Sequence, residues 1–299
     1  MLNYPIRLNF FAFERVMYER LDRSFELLKA SSAILLKDRA LLVFPLISLL
    51  ALTLIVASFA LPLGGVHALN AVSYGQVPIF RRCMTLFLFY LCQYFVIFFF
   101  NTALVGAVMM QLDGETPTVG DGLRIAVSKI YPILGYAIIA ATVGMILRVL
   151  QERLGFVGRL IVGMLGVGWT LATYLVVPVL AWRQCGPIEA ITESAELFKR
   201  TWGESAIGEA GLGFAFAFII FGVLGCGAAL FGLAQHVLHS ALLMIVVEIV
   251  VIGALVLTAL VHATLSGIYK VALFRYASGF GDMSGFESDV LARAFQRGD

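Results

Sequence analysis

Six long apolar stretches constrain this chain more than any other feature of its sequence. Each reaches the roughly 20 residues that a helix rising about 1.5 Å per residue needs to cross about 30 Å of hydrocarbon. The composition agrees, because 61% of the residues are hydrophobic, only 13% are charged and the mean hydropathy is +0.94. The stretches are Leu41–Leu63, Met84–Met110, Ile130–Leu150, Leu160–Trp182, Ala206–Ala234 and Ala241–Tyr269. The sequence therefore predicts an all-α, polytopic membrane protein with six transmembrane helices.

Six spans within 299 residues leave no room for a sizeable soluble domain. We expect a cytoplasmic N-terminal segment with an amphipathic helix at 1–40, a six-helix membrane domain at 41–271 and a cytoplasmic tail at 272–299. The first 40 residues mix basic and acidic side chains, unlike a cleavable signal peptide, whose apolar segment follows a short basic start. The first apolar run is therefore expected to remain as a membrane helix.

The distribution of basic residues predicts the orientation. Of the 21 Lys and Arg residues, 16 lie in segments on the same side as the N-terminus and five on the other. The positive-inside rule then places both termini in the cytoplasm. The net charge of +2 gives no indication of a nucleic-acid partner, so the lipid bilayer is the expected partner of the basic residues.

A pattern that occurs three times precedes the predicted transmembrane helices 1, 3 and 5. The segment 24–29 matches 194–199, with four of the six residues identical. In each of the three segments apolar side chains recur at helical spacing with polar residues on the opposite face, which predicts an amphipathic helix in the cytoplasmic interface. An amphipathic linker of any membrane protein can show such spacing. The predicted interfacial anchors are Leu21, Phe25, Leu28, Val119, Leu123, Ile191, Ala195 and Phe198.

The predicted architecture is therefore three transmembrane hairpins, each preceded by a cytoplasmic interfacial amphipathic helix. Tandem units that face the same way resemble the parallel repeats of some transporters.

Two polar residues in the last span are candidates for function. Glu248 lies deep in helix 6, where an ionised carboxylate costs at least about 2.5 to 3.5 kcal/mol, so we expect it to face the bundle interior, to be paired or to be protonated. His262 follows 14 residues later, about 20 Å along the helix, so the two side chains cannot touch. Either both residues lie on one proton or ion path, or each is a separate polar residue that hydrogen-bonds to neighbouring helices.

Helix 2 contains Gln93 and Asn101, which interhelical hydrogen bonds would satisfy or which could partner Glu248. Helix 5 carries a stripe of small residues at helical spacing, which predicts close helix packing. The stripe consists of Gly222, Gly225, Cys226, Ala229 and Gly232.

The sequence contains no motif for nucleotide binding, zinc proteolysis or a serine nucleophile in a span. It also lacks a cluster of acid, base and nucleophile, and no Cys/His spacing indicates zinc. We therefore expect no enzymatic activity, no catalytic residue, no cofactor and no metal site.

Several motifs lie along most of the chain, at Asn101–Val105, Gly114–Pro117, Ala141–Gly144, Gly186–Ala190, Ser194 and Thr201–Glu204. They resemble a family of uncharacterised bacterial polytopic membrane proteins, catalogued as a domain of unknown function. A looser similarity links the same pattern to the membrane domains attached to some bacterial glycerophosphodiester phosphodiesterases, whose soluble catalytic domain has no counterpart here. The resemblance implies a multi-pass protein of the bacterial inner membrane and no established activity.

Two functional classes follow from these features. The first is a membrane-organising or assembly protein that acts through lipid contacts, a homo-oligomer or another membrane protein. The alternative is a transporter or channel component with a polar path around Glu248. The sequence favours the first, because intramembrane polar groups are few and interfacial helices are many.

Overall fold

The computed structural model describes residues 29, 31–60, 79–236 and 240–279. The secondary structure within these ranges is helical. Residues 31–37 form a short helix, and a 3₁₀ turn at Arg39–Leu42 leads into the first long one. We number the principal helices α1 (Val43–Ala60), α2 (Ile79–Leu112), α3 (Val119–Ser128), α4 (Ile130–Arg153), α5 (Phe156–Ala172), α6 (Val176–Trp182), α7 (Pro187–His236) and α8 (Ala241–Ala277).

Within the described part of the chain, six helical segments are long and apolar enough to cross a membrane, which confirms the predicted number. The segments overlap all six apolar stretches of the sequence. They are Arg39–Phe59, Cys83–Leu112, Ile130–Arg153, Phe156–Trp182, Gly208–Gln235 and Ala241–Ala277. The protein is therefore a multi-pass membrane protein by the length and composition of its helices.

The helices form two compact units. The first unit contains Val43–Arg200 together with the described residues from Phe274 onward, and the second contains Thr201–Leu273 together with the described residues up to Leu42. The boundary near residue 200 coincides with a break in α7, where Thr201 leaves helical geometry with φ −120° and ψ 16°.

Helix α2 is the centre of the first unit, where it contacts α1, α3, α4 and α6. Every residue from Thr102 to Met109 is buried, so this part of α2 is covered on all sides. Small residues let helix α3 approach α2 closely. A Cβ at Gly122 of α3 would lie 2.6 Å from the carbonyl oxygen of Ala103 and 2.6 Å from Cζ of Phe44. Helix α3 therefore packs directly against the protein along its glycine and alanine side.

A capping box starts α3. The Thr118 side chain accepts a hydrogen bond from the N–H of Asp121 at 3.3 Å, and the Asp121 carboxylate accepts one from the N–H of Thr118 at 2.9 Å. Hydrogen bonds from the hydroxyl and the backbone of Thr118 lower the pKa of Asp121 below its ordinary value. The short connection between α2 and α4 is thereby fixed as a helix with a defined first residue.

The fourth predicted span, Leu160–Trp182, consists of two helices. Helix α5 ends at Ala172 and α6 begins at Val176, which frees backbone groups in a buried region. The Leu175 N–H donates to Oγ of Ser194 at 3.0 Å, and both residues are 0% exposed. A hydroxyl from the start of α7 thus satisfies the amide that the break leaves unpaired.

Candidate functional site

Glu248 lies on the outward side of α8. It is exposed, and so are the neighbouring apolar side chains of Ile245, Ile249 and Val250. Within the ranges that the structure describes, its carboxylate makes no hydrogen bond or ion pair. A group that covers this carboxylate must therefore come from beyond the described residues.

The other three polar candidates are dispersed. His262 is half-buried in the second unit, where its ring meets Phe216 edge-on at 4.9 Å between centroids. In the first unit Asn101 is exposed and Gln93 is half-buried. Glu248 and His262 lie about 21 Å apart along α8, and Gln93 and Asn101 about 12 Å apart along α2. Neither unit brings its own two candidates into contact.

The small-residue stripe of α7 faces outward. Gly222, Gly225, Cys226 and Ala229 are exposed, and Gly232 is half-buried. A Cβ built on any of the three glycines would meet no described atom within 4 Å. The stripe therefore makes no close helix contact within the described chain.

A different glycine makes the close contact between α7 and α8. A Cβ on Gly227 would lie 2.5 Å from Cγ2 of Val251. Gly227 is buried and sits on the opposite side of α7 from the stripe. The glycine that packs within the second unit was not among the predicted packing residues, and spacing alone does not distinguish it from its neighbours.

Glu209 is a membrane-end carboxylate that the sequence analysis did not single out. It lies one residue into the span Gly208–Gln235 and accepts a hydrogen bond from Oγ of the buried Ser266 at 2.9 Å. Nζ of Lys270 lies 4.0 Å from the same carboxylate oxygen. The signal that could have found this cluster is the pairing of an acid and a base at the ends of two consecutive spans.

The motif Gly186–Ala190 forms the start of α7 in the first unit. The Gly186 N–H donates to Oε2 of Glu189 at 3.1 Å, and Pro187 occupies the first helical position, where its missing N–H costs nothing. A Cβ on Gly135 of α4 would lie 2.9 Å from Cγ of Pro187. The residues that carry the family resemblance therefore fix the start of α7 against α4.

Charged residues interact with one another near the start of α7 in the first unit. Nζ of Lys129 donates to the backbone oxygen of Arg183 at 2.7 Å, and Nε of Arg183 donates to Oε1 of Glu193 at 3.0 Å. Burial, followed by the carboxylates of Glu193 and Glu189, raises the pKa of the Cys185 thiol. This thiol is correspondingly less ionised than a free cysteine at neutral pH.

The predicted interfacial anchors divide into three groups. Val119 and Leu123 of α3 are half-buried, and so are Ile191, Ala195 and Phe198 of α7. The fully buried side of the α7 start is adjacent, at Ala190, Ser194, Leu197 and Thr201. The N-terminal anchors Leu21, Phe25 and Leu28 lie outside the described residues.

Among the residues that the structure describes, no group of three or more His, Cys, Asp or Glu side chains is arranged to hold a metal ion.

A family model described as "Family of unknown function (DUF6159)" matches residues 81–286, which is well over half of the chain. The matched range includes both the outward stripe of α7 and the charged start of that helix. No curated protein matches the sequence.

Proposed function

Because the chain belongs to this family of unknown function, its role has to be inferred from its own residues, and we propose that it is a non-enzymatic membrane-organising or assembly protein. It acts by associating with a second copy of itself through α7. The observation that carries this proposal is the outward position of the small-residue stripe.

The stripe has the chemistry of a helix-association surface. Two small-xxx-small pairs, Gly222 with Cys226 and Gly225 with Ala229, lie on one side of α7. In a bilayer the hydrophobic effect does not drive helices together, and small residues promote association by letting two backbones approach closely. Glycine lowers the intrinsic helix propensity by about 1 kcal/mol relative to alanine, so a line of exposed glycines weakens α7 unless another helix fills the groove.

The apolar surroundings suit the same role. Phe218, Phe221 and Leu224 are exposed near the stripe. Large side chains beside a glycine groove provide the ridges that a second copy of the same helix can pack between. A self-complementary surface of this kind favours a twofold dimer.

We place the protein in a bacterial inner membrane with both termini in the cytoplasm, supported by the family resemblance and by the excess of basic residues on that side. In this arrangement each of three hairpins follows an interfacial helix. Two positions support it: α3 precedes α4, and residues 187–200 precede the fifth span. The looser similarity to phosphodiesterase membrane domains is compatible with this placement.

Cysteine cross-linking in native membranes tests the proposed dimer. In a chain whose other three cysteines are replaced by serine, oxidation should join Cys226 to Cys226 of a second copy. A matched chain with Cys226→Ala and Ile220→Cys presents an exposed thiol about 120° or more away from every stripe residue and should cross-link far less. Gly225→Leu should abolish the Cys226 cross-link, whereas Gly213→Leu, at an exposed glycine on the opposite side of α7, should leave it intact.

A chain that stays monomeric at every thiol position would contradict the proposal. So would a pH-dependent flux in reconstituted vesicles that Glu248→Gln abolishes while the amount of folded protein stays constant, because that result favours transport.

A further inference from the structure

A cavity of about 530 Å³ with several charged side chains in its lining lies at one end of the first unit. Arg183, which directly follows the span Phe156–Trp182, forms one wall, and Ala277 and Ser278, at the C-terminal end of α8, form another. Residues that follow directly on a span lie at the depth of the lipid head groups, outside the roughly 30 Å of hydrocarbon. The cavity is therefore open to molecules with a polar group at that depth.

The third wall is one side of the start of α7. Glu189, Glu193, Glu196 and Arg200 are spaced i, i+4, i+7 and i+11, so they share one side of the helix and all line the cavity. With Arg183, the cavity holds three carboxylates and two guanidinium groups. Its formal charge is therefore −1.

Some of these charges are already paired. Arg183 donates to Glu193, and Glu189 accepts from the backbone of Gly186. Glu196 and Arg200 make no hydrogen bond or ion pair with any described residue. An unpaired carboxylate and an unpaired guanidinium thus lie one helical turn apart, about 6 Å along the axis.

Ser278 provides an independent indication of a ligand. Its hydroxyl oxygen is buried and has no hydrogen-bond partner among the described residues. Leaving a buried polar group unsatisfied costs about 1 to 3 kcal/mol, so such groups are normally paired. Because Ser278 lines the cavity, a bound molecule can supply that partner.

We propose that this cavity binds a phosphoethanolamine group, the head group of an ethanolamine phospholipid. Arg200 and the Ser278 hydroxyl donate to the phosphate oxygens, and the primary ammonium donates to the carboxylate of Glu196. Both contacts to charged groups are charge-assisted hydrogen bonds. The volume lies in the range of small-ligand pockets, about 300 to 1,000 Å³.

The cavity discriminates against the other common head groups. An anionic head group without an amine meets three carboxylates and a net negative charge. A choline group has no N–H to donate, and it is usually recognised by aromatic rings, which the described lining does not contain. This site does not depend on the dimer proposed above, since it lies in the first unit and the stripe lies in the second.

Native mass spectrometry of the full chain in nanodiscs tests the proposal. In discs that mix phosphatidylethanolamine, phosphatidylcholine and phosphatidylglycerol, the wild type should retain about one phosphatidylethanolamine in preference to the other two. Arg200→Gln and Glu196→Gln should each weaken that retention at least about tenfold, because each removes a charge-assisted hydrogen bond. Lys199→Gln, which removes the same charge next to Arg200 but outside the cavity lining, should retain the lipid like the wild type. Arg200→Lys, which keeps the charge, should restore part of the loss.

A second probe identifies the source of the group. If soluble O-phosphoethanolamine competes with the lipid at comparable affinity, the site binds the head group alone and its natural ligand is a free metabolite. If it does not compete, the site binds the intact lipid. Equal retention of phosphatidylcholine, a preference for phosphatidylglycerol, or an undiminished preference in both Arg200→Gln and Glu196→Gln would overturn the proposal. Thermal unfolding of each variant shows whether it is folded. The partial restoration by Arg200→Lys separates loss of binding from loss of structure.

Discussion

Replacing Ser194 by alanine should destabilise the protein through a single hydrogen bond. The Ser194 hydroxyl is the acceptor for the Leu175 N–H in the break between α5 and α6, and neither residue is accessible to solvent. In Ser194→Ala this amide stays buried without a partner. The desolvation cost of such a group is about 1 to 3 kcal/mol.

One opposing contribution reduces this cost. Alanine has a higher helix propensity than serine, by up to about 0.5 kcal/mol. The net loss in the free energy of unfolding should therefore be about 1 to 2 kcal/mol. Thr192→Ala is the matched control, because its exposed hydroxyl bonds only to the Ile188 carbonyl one turn earlier. That change should stay within about 0.5 kcal/mol of the wild type.

The assay is reversible unfolding in mixed detergent micelles, with hydrogen exchange of the Leu175 amide as a second measurement. We expect Ser194→Ala to lower the unfolding free energy and to speed exchange of that amide, and Thr192→Ala to do neither. If Ser194→Ala matches the control in both measurements, the hydroxyl does not hold the break in α5 and α6 and the reasoning is refuted.

Gly122→Ala should destabilise the first unit, because the new Cβ meets a backbone oxygen and an aromatic ring at 2.6 Å. Gly120→Ala on the same helix is the control, since its new Cβ meets its nearest atom at 3.5 Å. That control should be neutral or stabilising by up to about 1 kcal/mol. Equal unfolding free energies for the two variants would contradict the close packing of α3 on α2. Glu193→Gln should make Cys185 react faster with iodoacetamide at pH values below the thiol pKa, since removing a carboxylate that raises this pKa increases the thiolate fraction. The rates of variant and wild type should converge well above the pKa, and a slower variant would contradict the assigned cause.

The close approach of α3 to α2 shows what the sequence pattern captured and what it missed. Helical spacing placed Val119 and Leu123 on one side of an amphipathic segment, and a helix does run from Val119 to Ser128. The spacing did not show that Gly122 and Ala126, which are buried on that helix, pack against a neighbouring helix. An amphipathic pattern reports that a side is apolar and does not report whether lipid or protein covers it.

The same limit applies to the polar and small residues of the last two spans. The sequence identified Glu248 as an intramembrane carboxylate and the α7 stripe as small, and the structure places both on exposed surfaces. It also brings Glu209 together with Ser266 and Lys270, which lie more than 50 positions later in the chain. Pairing across that distance depends on how two helices align, which no local pattern contains.

The sequence by itself determined the class of this protein and its six spans. Transfer of a side chain between water and hydrocarbon is a property of each residue, so its sum over about 20 residues can be read directly from the chain. Tertiary structure alone decided where α5 and α6 separate, that Ser194 satisfies the break, that Gly227 packs while Gly225 stays exposed, and that three segments line one cavity with charged side chains. These outcomes depend on which neighbours each helix meets, because every helix offers several sides and the packed arrangement covers only some of them.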